Sequence, residues 1–392
     1  MRVAVVAEWY PSPTDPVHGF WAHRQAVAAR DAGAEVRVLA MRRPIPPLAA
    51  LRALPDAEPV RRWAGGVRAH LAPLELDGIH VTGVPFVSPP RPRSYGSWGH
   101  WMAPTLGLAL DRLREEWRFD LVHAHSIVPP GYAAARWRRR HEAPLAVSAH
   151  GPDMIHVPGL SATARRASVA ALTAADLVVA NSRWAERRCR EIAGRALPSE
   201  VVHLGTDFPE RPPERRERPT VVTVAHLVAR KRHAVVLHAL AQLPELDYVV
   251  IGDGPGRAPL ERLAAELGIA DRVSFLGQLE HDRALAEARR CHAYVMPGVE
   301  EPFGIAYVEA MAAGLPAIGA RGEGGPEDIA AAGEGMLLVQ PDDHRALAKI
   351  LKDLFATGPE KLGAAARETV LRNFTWERCG RATVSAYEKA LR

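Results

Sequence analysis

Two glutamates, Glu301 and Glu309, stand eight residues apart in EPFGIAYVEAMAAGLP (301–316), the segment best equipped for chemistry. Phe303 to Ala313 has helical composition, and Gly314-Leu315-Pro316 closes it. Eight helical positions span about 12 Å, too far for the carboxylates to act as acid and base on one bond. They suit the two ends of one long ligand. Gly304 lets a ligand approach the backbone near the helix start, where unpaired N–H groups can hold an anion such as a diphosphate. The blander account, an amphipathic helix with two solvated glutamates, fits the bare spacing better than it fits the flanking P-F-G and G-L-P.

A second constellation is VAHLVARKRH (224–233), a basic cluster directly after a β-rich run. Preplaced cations stabilise the charge that develops on a leaving diphosphate, which makes Lys231 and Arg230 candidates; a solvated basic helix start is the alternative. In IGDGPGRAPL, Gly252, Gly254 and Gly256 imitate a dinucleotide fingerprint, weak by itself. In ARGEGGPEDI, Gly324 and Gly325 suit a loop pressed against a ligand or an ordinary tight turn. His123 and His125 share a strand face and, with His150 and Asp153, form a rival metal-hydrolase reading. Hydrogen-bonded packing is the commoner fate of such histidines, and no eightfold barrel rhythm accompanies them.

These residues need a frame. VAVVA, the helical FWAHRQAVAARDAG with Gly33 at its C-terminal end, and EVRVLA read as a βαβ unit and hence a parallel sheet. The rhythm returns at FDLVHAHS, APLAVSAHG, ADLVVANS and EVVHLG, then again at TVVTVAHLV, DYVVIGDGPG, RVSFLG, AYVMPG and LPAIGARG. Ligands of open α/β sheets gather at strand C-terminal ends, where these candidates lie. The Pro- and charge-rich run at 209–220, with ERPPERRERPT, is the best linker. Between 41 and 100 no element is assigned. The expected architecture is therefore α/β, with two Rossmann-like doubly wound domains facing across a cleft. One covers 1–205 plus a C-terminal helix of about 376–392, and the other covers 206–375.

Composition narrows the classes. The chain has 392 residues, 47% hydrophobic and 24% charged, an ordinary globular balance. No run approaches the roughly 18 apolar residues of a membrane span, and the N-terminus lacks a signal-like pattern. Cys189, Cys291 and Cys379 form no metal-finger spacing, which fits a reduced cytoplasmic setting. Net charge is +5, mostly from Arg. The basic, Trp-containing AARWRRRH (134–141), with Arg42, Arg43, Arg61 and Arg62, could dock on an anionic membrane face or be a solvated surface. Nucleic-acid binding would rest on charge alone and is not expected.

E-x7-E followed by A-M-A-x-G-x-P resembles the signature of retaining glycosyltransferase family 4, whose fold is GT-B. The resemblance spans nearly the whole chain and is strongest from 220 to 330. It implies that Glu309 binds the ribose hydroxyls of a nucleotide-sugar, most expectedly a UDP- or GDP-sugar. Glu301 would lie near the donor sugar, and the backbone of Phe303, Gly304 and Ile305 near the diphosphate. Lys231 matches the lysine of the family's G-R-L-x-x-x-K, but His226 replaces its arginine, and a histidine lacks the arginine fork and is only partly charged. Leu276, with Gly277, would approach the base. Gly19 matches part of a glycine-containing loop near donor phosphate and acceptor, with His18 where many members have a second glycine. His150-Gly151 and Asp153 look like H-G-x-D, which puts His150 on the transferred sugar.

ARGEGGPEDI is similar to a variant in enzymes of cell-surface polysaccharide synthesis, and the last helix would cross back to the first domain. The chain contains no D-x-D, in keeping with GT-B chemistry that needs no metal or other cofactor. The implied reaction is front-side transfer with retention, Lys231 stabilising the leaving diphosphate and the acceptor hydroxyl giving its proton to that phosphate. The acceptor would be a glycan, a lipid-linked sugar or a small molecule, and the setting cytoplasmic or peripheral on the inner membrane face. A GT-B epimerase and a catalytically weak nucleotide-sugar binder stay open as alternatives.

Overall fold

Apolar runs buried on both faces form the inner strands, as parallel sheets covered by helices require. The computed structural model describes residues 1–13, 15, 17–45, 58–91, 94–209 and 214–392. Residues 14 and 16 of the loop before Gly19 and 210–213 of the linker run lie outside these, as do 46–57 and 92–93 of the unassigned region. The chain divides into two compact units, Met1–His203 with Cys379–Arg392, and Leu204–Arg378.

Unit 1 is built on β1 (Arg2–Ala7), β2 (Glu35–Arg42), β3 (Leu74–Leu76), β4 (Ile79–Pro85), β5 (Leu121–His125), β6 (Leu145–Ala149), β7 (Leu177–Ala180) and β8 (Ser199–Val201). Their order in the sheet is β3-β4-β2-β1-β5-β6-β7-β8. All neighbours pair in parallel except β3 with β4. The first crossover helix, Phe20–Asp31, ends at Ala32, and Gly33 follows at φ 102°, the glycine position expected after a helix. One side of the core is the helix Trp98–Glu116, which buries Trp98, Met102, Leu106 and Leu110 at 98, 102, 106 and 110, one helical face.

The region without sequence assignments holds the helix Glu58–Leu71 and the β3–β4 hairpin. Asp77 and Gly78, at φ 46° and 73°, make its turn. An Asp-Gly pair between short alternating runs is a hairpin signal, obscured here by the surrounding Pro and Arg.

Unit 2 contains β9 (Thr220–Val224), β10 (Asp247–Ile251), β11 (Val273–Gly277), β12 (Ala293–Met296), β13 (Ala317–Ala320) and β14 (Met336–Val339), in the order β11-β10-β9-β12-β13-β14. Every pairing is parallel. The chain enters and leaves this unit side by side: the Thr206 N–H donates to the Phe374 carbonyl at 3.0 Å, and Thr206 bridges Thr375. The last helix, Trp376–Ala390, packs into unit 1 from Cys379 onward. There Thr383 accepts from Gln25 at 3.1 Å and Gly380 lies against the Ala28 carbonyl.

Candidate functional site

In unit 2 the strand order reverses between β9 and β12, so the loops leaving their C-terminal ends flank one crevice. The first loop carries His226, Arg230 and Lys231; the second carries Glu301 to Ile305. Lys231 Nζ donates to Glu301 Oε2 in a close ion pair, with 12% and 10% of the two side chains exposed. The backbones are joined beside it, the Val299 N–H donating to the Arg230 carbonyl at 2.8 Å. Gly298 permits this approach, since a Cβ there would lie 3.3 Å from Lys231 Cα.

Glu301 is also held from its backbone. Its N–H donates to Glu323 Oε2 at 3.0 Å, and its carbonyl accepts from Gly325 N–H at 3.1 Å. Burial raises the Glu323 carboxyl pKa, against the lowering effect of the Glu301 and Glu300 N–H groups. The expected helix starts at Ile305 and ends at Ala312, with Gly304 at its N-cap in the left-handed region, φ 79°. A Cβ on Gly304 would meet the Tyr307 ring at 2.5 Å. No side chain caps the first turn, so its forward N–H groups point out of the helix start toward the loop. Phe303 is 2% exposed and is a packing residue through its side chain, leaving its backbone to line the turn.

Glu309 lies within this helix, with 10% of its side chain exposed and Oε1 3.5 Å from His281 Nε2. Burial pushes its carboxyl up to about 7; the Arg289 charge opposes this and Asp207 adds to it. Lys231, Glu301 and the turn Phe303–Ile305 are thus assembled, with Glu309 further along the same helix.

Other candidates stand apart. The His226 ring is exposed and, among the described residues, has no hydrogen-bond partner. The half-buried Arg230 guanidinium likewise has none, which leaves it as the cation available beside Lys231. Leu276 sits on the edge strand β11, 36% exposed. Gly277 turns there at φ 71°, its carbonyl accepting from Gly252 N–H at 2.8 Å.

Two glycine runs pack closely on neighbouring backbone. A Cβ at Gly252 would lie 2.1 Å from the Ala225 carbonyl oxygen, and at Gly254 and Gly256 2.7 and 2.8 Å from that of Leu227. This run packs against the loop that carries His226. Gly324 and Gly325 open the helix Gly324–Ala332, and a Cβ on Gly325 would stand 1.7 Å from the Phe303 carbonyl oxygen. Its glycine sets the position of the Phe303–Gly304 turn from behind. Glu323, which precedes it, escaped the sequence reading because only the fold turns it toward Glu301.

In unit 1, Gly19 caps the helix Phe20–Asp31 at φ 78°, pressed on its own chain, with a Cβ position 2.2 Å from the Trp9 carbonyl. His150 follows β6. Its N–H and that of Gly151 donate to Asp153 Oδ1 at 3.2 and 2.8 Å, its carbonyl accepts from Asn181 at 3.0 Å, and Nε2 meets His125 Nδ1 at 3.0 Å. The buried His150 Nδ1 has no partner. Burial lowers the pKa of His125 and His150, which keeps both rings neutral near pH 7. Both ring nitrogens of His123 hydrogen-bond to hydroxyls, Nδ1 with Tyr387 at 2.8 Å and Nε2 with Ser148 at 2.7 Å, and burial lowers its pKa to about 3, so one nitrogen donates and the other accepts. His123 is thus satisfied by internal packing, whereas the buried His125 Nε2 has no partner; among the described residues no three His, Cys, Asp or Glu are arranged to hold a metal ion.

Residues 19–209 match Glycosyltransferase Family 4, and residues 206–369 match Glycosyl transferases group 1. The chain is 28% identical, over 305 residues, to the GDP-mannose-dependent alpha-(1-6)-phosphatidylinositol monomannoside mannosyltransferase of Mycolicibacterium smegmatis, covering 71% of this chain and 78% of that protein. It is 30% identical over 319 residues to D-inositol 3-phosphate glycosyltransferase of Streptomyces avermitilis, 70% of this chain and 66% of that one. Among solved structures, Anabaena Alr3699/HepE in complex with UDP superposes with a TM-score of 0.72 at 20% identity, over 99% of this chain and 100% of that one. Two consecutive family patterns, laid over two parallel-sheet units of the GT-B kind, establish that this chain belongs to glycosyltransferase family 4 and transfers sugar from a nucleotide-sugar.

Proposed function

We propose that the donor is a UDP- or GDP-sugar held by unit 2, and that transfer to an acceptor hydroxyl proceeds with retention. The observation that carries this reading is the Lys231–Glu301 pair beside the uncapped turn at Gly304–Ile305, at the strand reversal of unit 2. The turn's N–H groups and Lys231 hold the diphosphate and stabilise the charge of bond breaking. Arg230 supplies the second cation in place of an arginine at 226. Glu309 accepts from the ribose hydroxyls, Glu301 positions Lys231 and faces the sugar, and Leu276 flanks the base. His150, through its free Nδ1, touches the transferred sugar, and Gly19 belongs to the loop near it. The acceptor hydroxyl passes its proton to the leaving phosphate, so no metal enters a step.

The acceptor is assigned to cell-surface glycolipid or polysaccharide synthesis. A relative whose name includes phosphatidylinositol monomannoside and GDP-mannose supports this choice, and a neighbour solved with UDP keeps both bases in view. Peripheral membrane contact through unit 1 is part of the proposal. The helix Trp98–Glu116 exposes Trp101 (50%) and Leu108 (59%) on the face that also carries Arg112, and Arg136 reaches His100 on that helix at 3.1 Å. No helix among the described residues is long and apolar enough to cross a membrane.

The test is a thermal-shift series with UDP, GDP, ADP and dTDP and their sugars, followed by assignment of the product anomer by NMR. Selective stabilisation by one diphosphate, lost in Lys231→Ala, supports the donor site. Stabilisation by none of them sinks it. The unpartnered His226 ring favours one second reading, a binder with weak turnover, which saturable binding without product would support.

A further inference from the structure

At the C-terminal end of the unit 1 sheet, His125 Nε2, His150 Nδ1 and Asn181 Oδ1 are buried without a hydrogen-bond partner among the described residues. They come from neighbouring strands: His125 ends β5, His150 follows β6 and Asn181 follows β7, and the three strands pair side by side in parallel. His125 is 3% exposed and Asn181 5%. Leaving such atoms unpaired costs stability unless a ligand completes them. The backbone that carries the two rings is fixed. Asp153 accepts from the Ile127 N–H at 3.0 Å as well as from those of His150 and Gly151, so one carboxylate ties together the loops that follow β5 and β6.

His125 and His150 share one proton where they meet. Nδ1 of the first lies 3.0 Å from Nε2 of the second, the rings are 7° from parallel, and burial keeps both neutral near pH 7. A neutral imidazole has one donor nitrogen and one acceptor nitrogen. Whichever ring donates, the two outer nitrogens therefore differ: one is an N–H and the other a lone pair. If His125 donates, the outer N–H is on His150 Nδ1 and the lone pair on His125 Nε2; if His150 donates, the two exchange. The second arrangement leaves the unpaired N–H on His125, the more enclosed ring, and an orphaned buried N–H is tolerated less than an orphaned lone pair. The first puts it on His150, where a bound sugar hydroxyl satisfies it.

We propose that His125 is a positioning residue: its Nδ1–H holds His150 in the Nδ1–H tautomer, so that His150 donates to a hydroxyl of the transferred sugar. The role rests on the reading that His150 touches that sugar. Asn181 holds the same residue by its backbone, its amide donating to the His150 carbonyl at 3.0 Å. Free imidazole side chains favour the proton on Nε2, so the contact with His125 has a spectroscopic signature.

Nitrogen NMR on the full chain, isotope-labelled at histidine, reads which ring nitrogen of His150 carries the proton at neutral pH. In the wild type it should be Nδ1. In His125→Leu the proton should move to Nε2, and in His125→Asn, whose amide N–H can take the place of the Nδ1–H, it should stay on Nδ1. Hydrolysis of UDP-glucose and GDP-mannose, with water standing in for the acceptor, should fall about ten- to a hundredfold in kcat in His125→Leu while affinity for UDP or GDP is unchanged. In His125→Asn it should recover to within about threefold of wild type. A wild-type His150 protonated on Nε2 or on both nitrogens overturns the proposal, as does undiminished hydrolysis by His125→Leu or an equal loss in the two variants. The wild-type spectrum decides even where a variant folds poorly. Full hydrolysis by His150→Ala defeats the sugar contact on which the proposal rests; the wrong wild-type tautomer with hydrolysis still dependent on His150 defeats the positioning role alone.

Discussion

Glu309 offers a perturbation whose size and sign follow from its surroundings. Burial is the main reason its carboxyl pKa rises from 4.5 to about 7, with Arg289 opposing and Asp207 adding. The folded chain keeps the proton up to about pH 7, whereas the unfolded chain releases it near 4.5. The stability this group contributes is therefore fully present below pH 4.5 and lost as the pH climbs through about 7. At about 1.4 kcal/mol per pH unit, the loss comes to about 3 kcal/mol.

Glu309→Gln abolishes this titration. In urea unfolding followed through unit 2, wild-type stability relative to the variant should decline by roughly 3 kcal/mol between about pH 4.5 and pH 8 and then level off. Donor binding should move the other way. Ribose hydroxyls donate to an ionised carboxylate, so wild-type affinity for the preferred nucleotide rises toward pH 8. In the variant it is flat and, at high pH, roughly ten- to a hundredfold weaker. Parallel stability curves for wild type and variant would falsify the desolvation argument, and parallel affinity curves would detach Glu309 from the ribose.

Three further outcomes are expected. Lys231→Ala should lower kcat on the order of a hundred- to a thousandfold, since a cation on the leaving diphosphate acts in the transition state; unchanged turnover removes it from the mechanism. Gly325→Ala puts a methyl where the Phe303 carbonyl lies, so it should cost about 1–3 kcal/mol in unfolding and weaken diphosphate binding as the Gly304 turn shifts, an effect that a purely structural role would not show in the binding titration. Tyr387→Phe strips the hydroxyl from buried His123 and should cost about 1–2 kcal/mol with nucleotide affinity intact; a matching loss of nucleotide binding would contradict the assignment of that pair to packing.

Local chemistry made much of this molecule legible before folding. Runs such as VAVVA and TVVTV can only be buried strands, and their alternation with helical segments forces parallel sheets. Gly33 announces a helix C-cap and Gly304 a close backbone approach, and E-x7-E with its closing G-L-P marks the helix that carries Glu309. The hairpin turn at Asp77-Gly78 was missed, because a surrounding excess of Pro and Arg hid its signal.

Tertiary structure decided the rest, because contacts between distant segments have no one-dimensional trace. Lys231 and Glu301, seventy positions apart, meet because β9 and β12 are neighbours at the strand reversal. The same folding returns Glu323 to the Glu301 N–H and buries Glu309 enough to shift its proton by more than two pH units. It also explains three glycines: at Gly252, Gly254 and Gly325 other backbone passes through the space a side chain would need. Sequence alone therefore determined which residue types could hold a nucleotide-sugar. Packing determined which of them face one another, since proximity and burial, unlike propensity, are properties of the assembled chain.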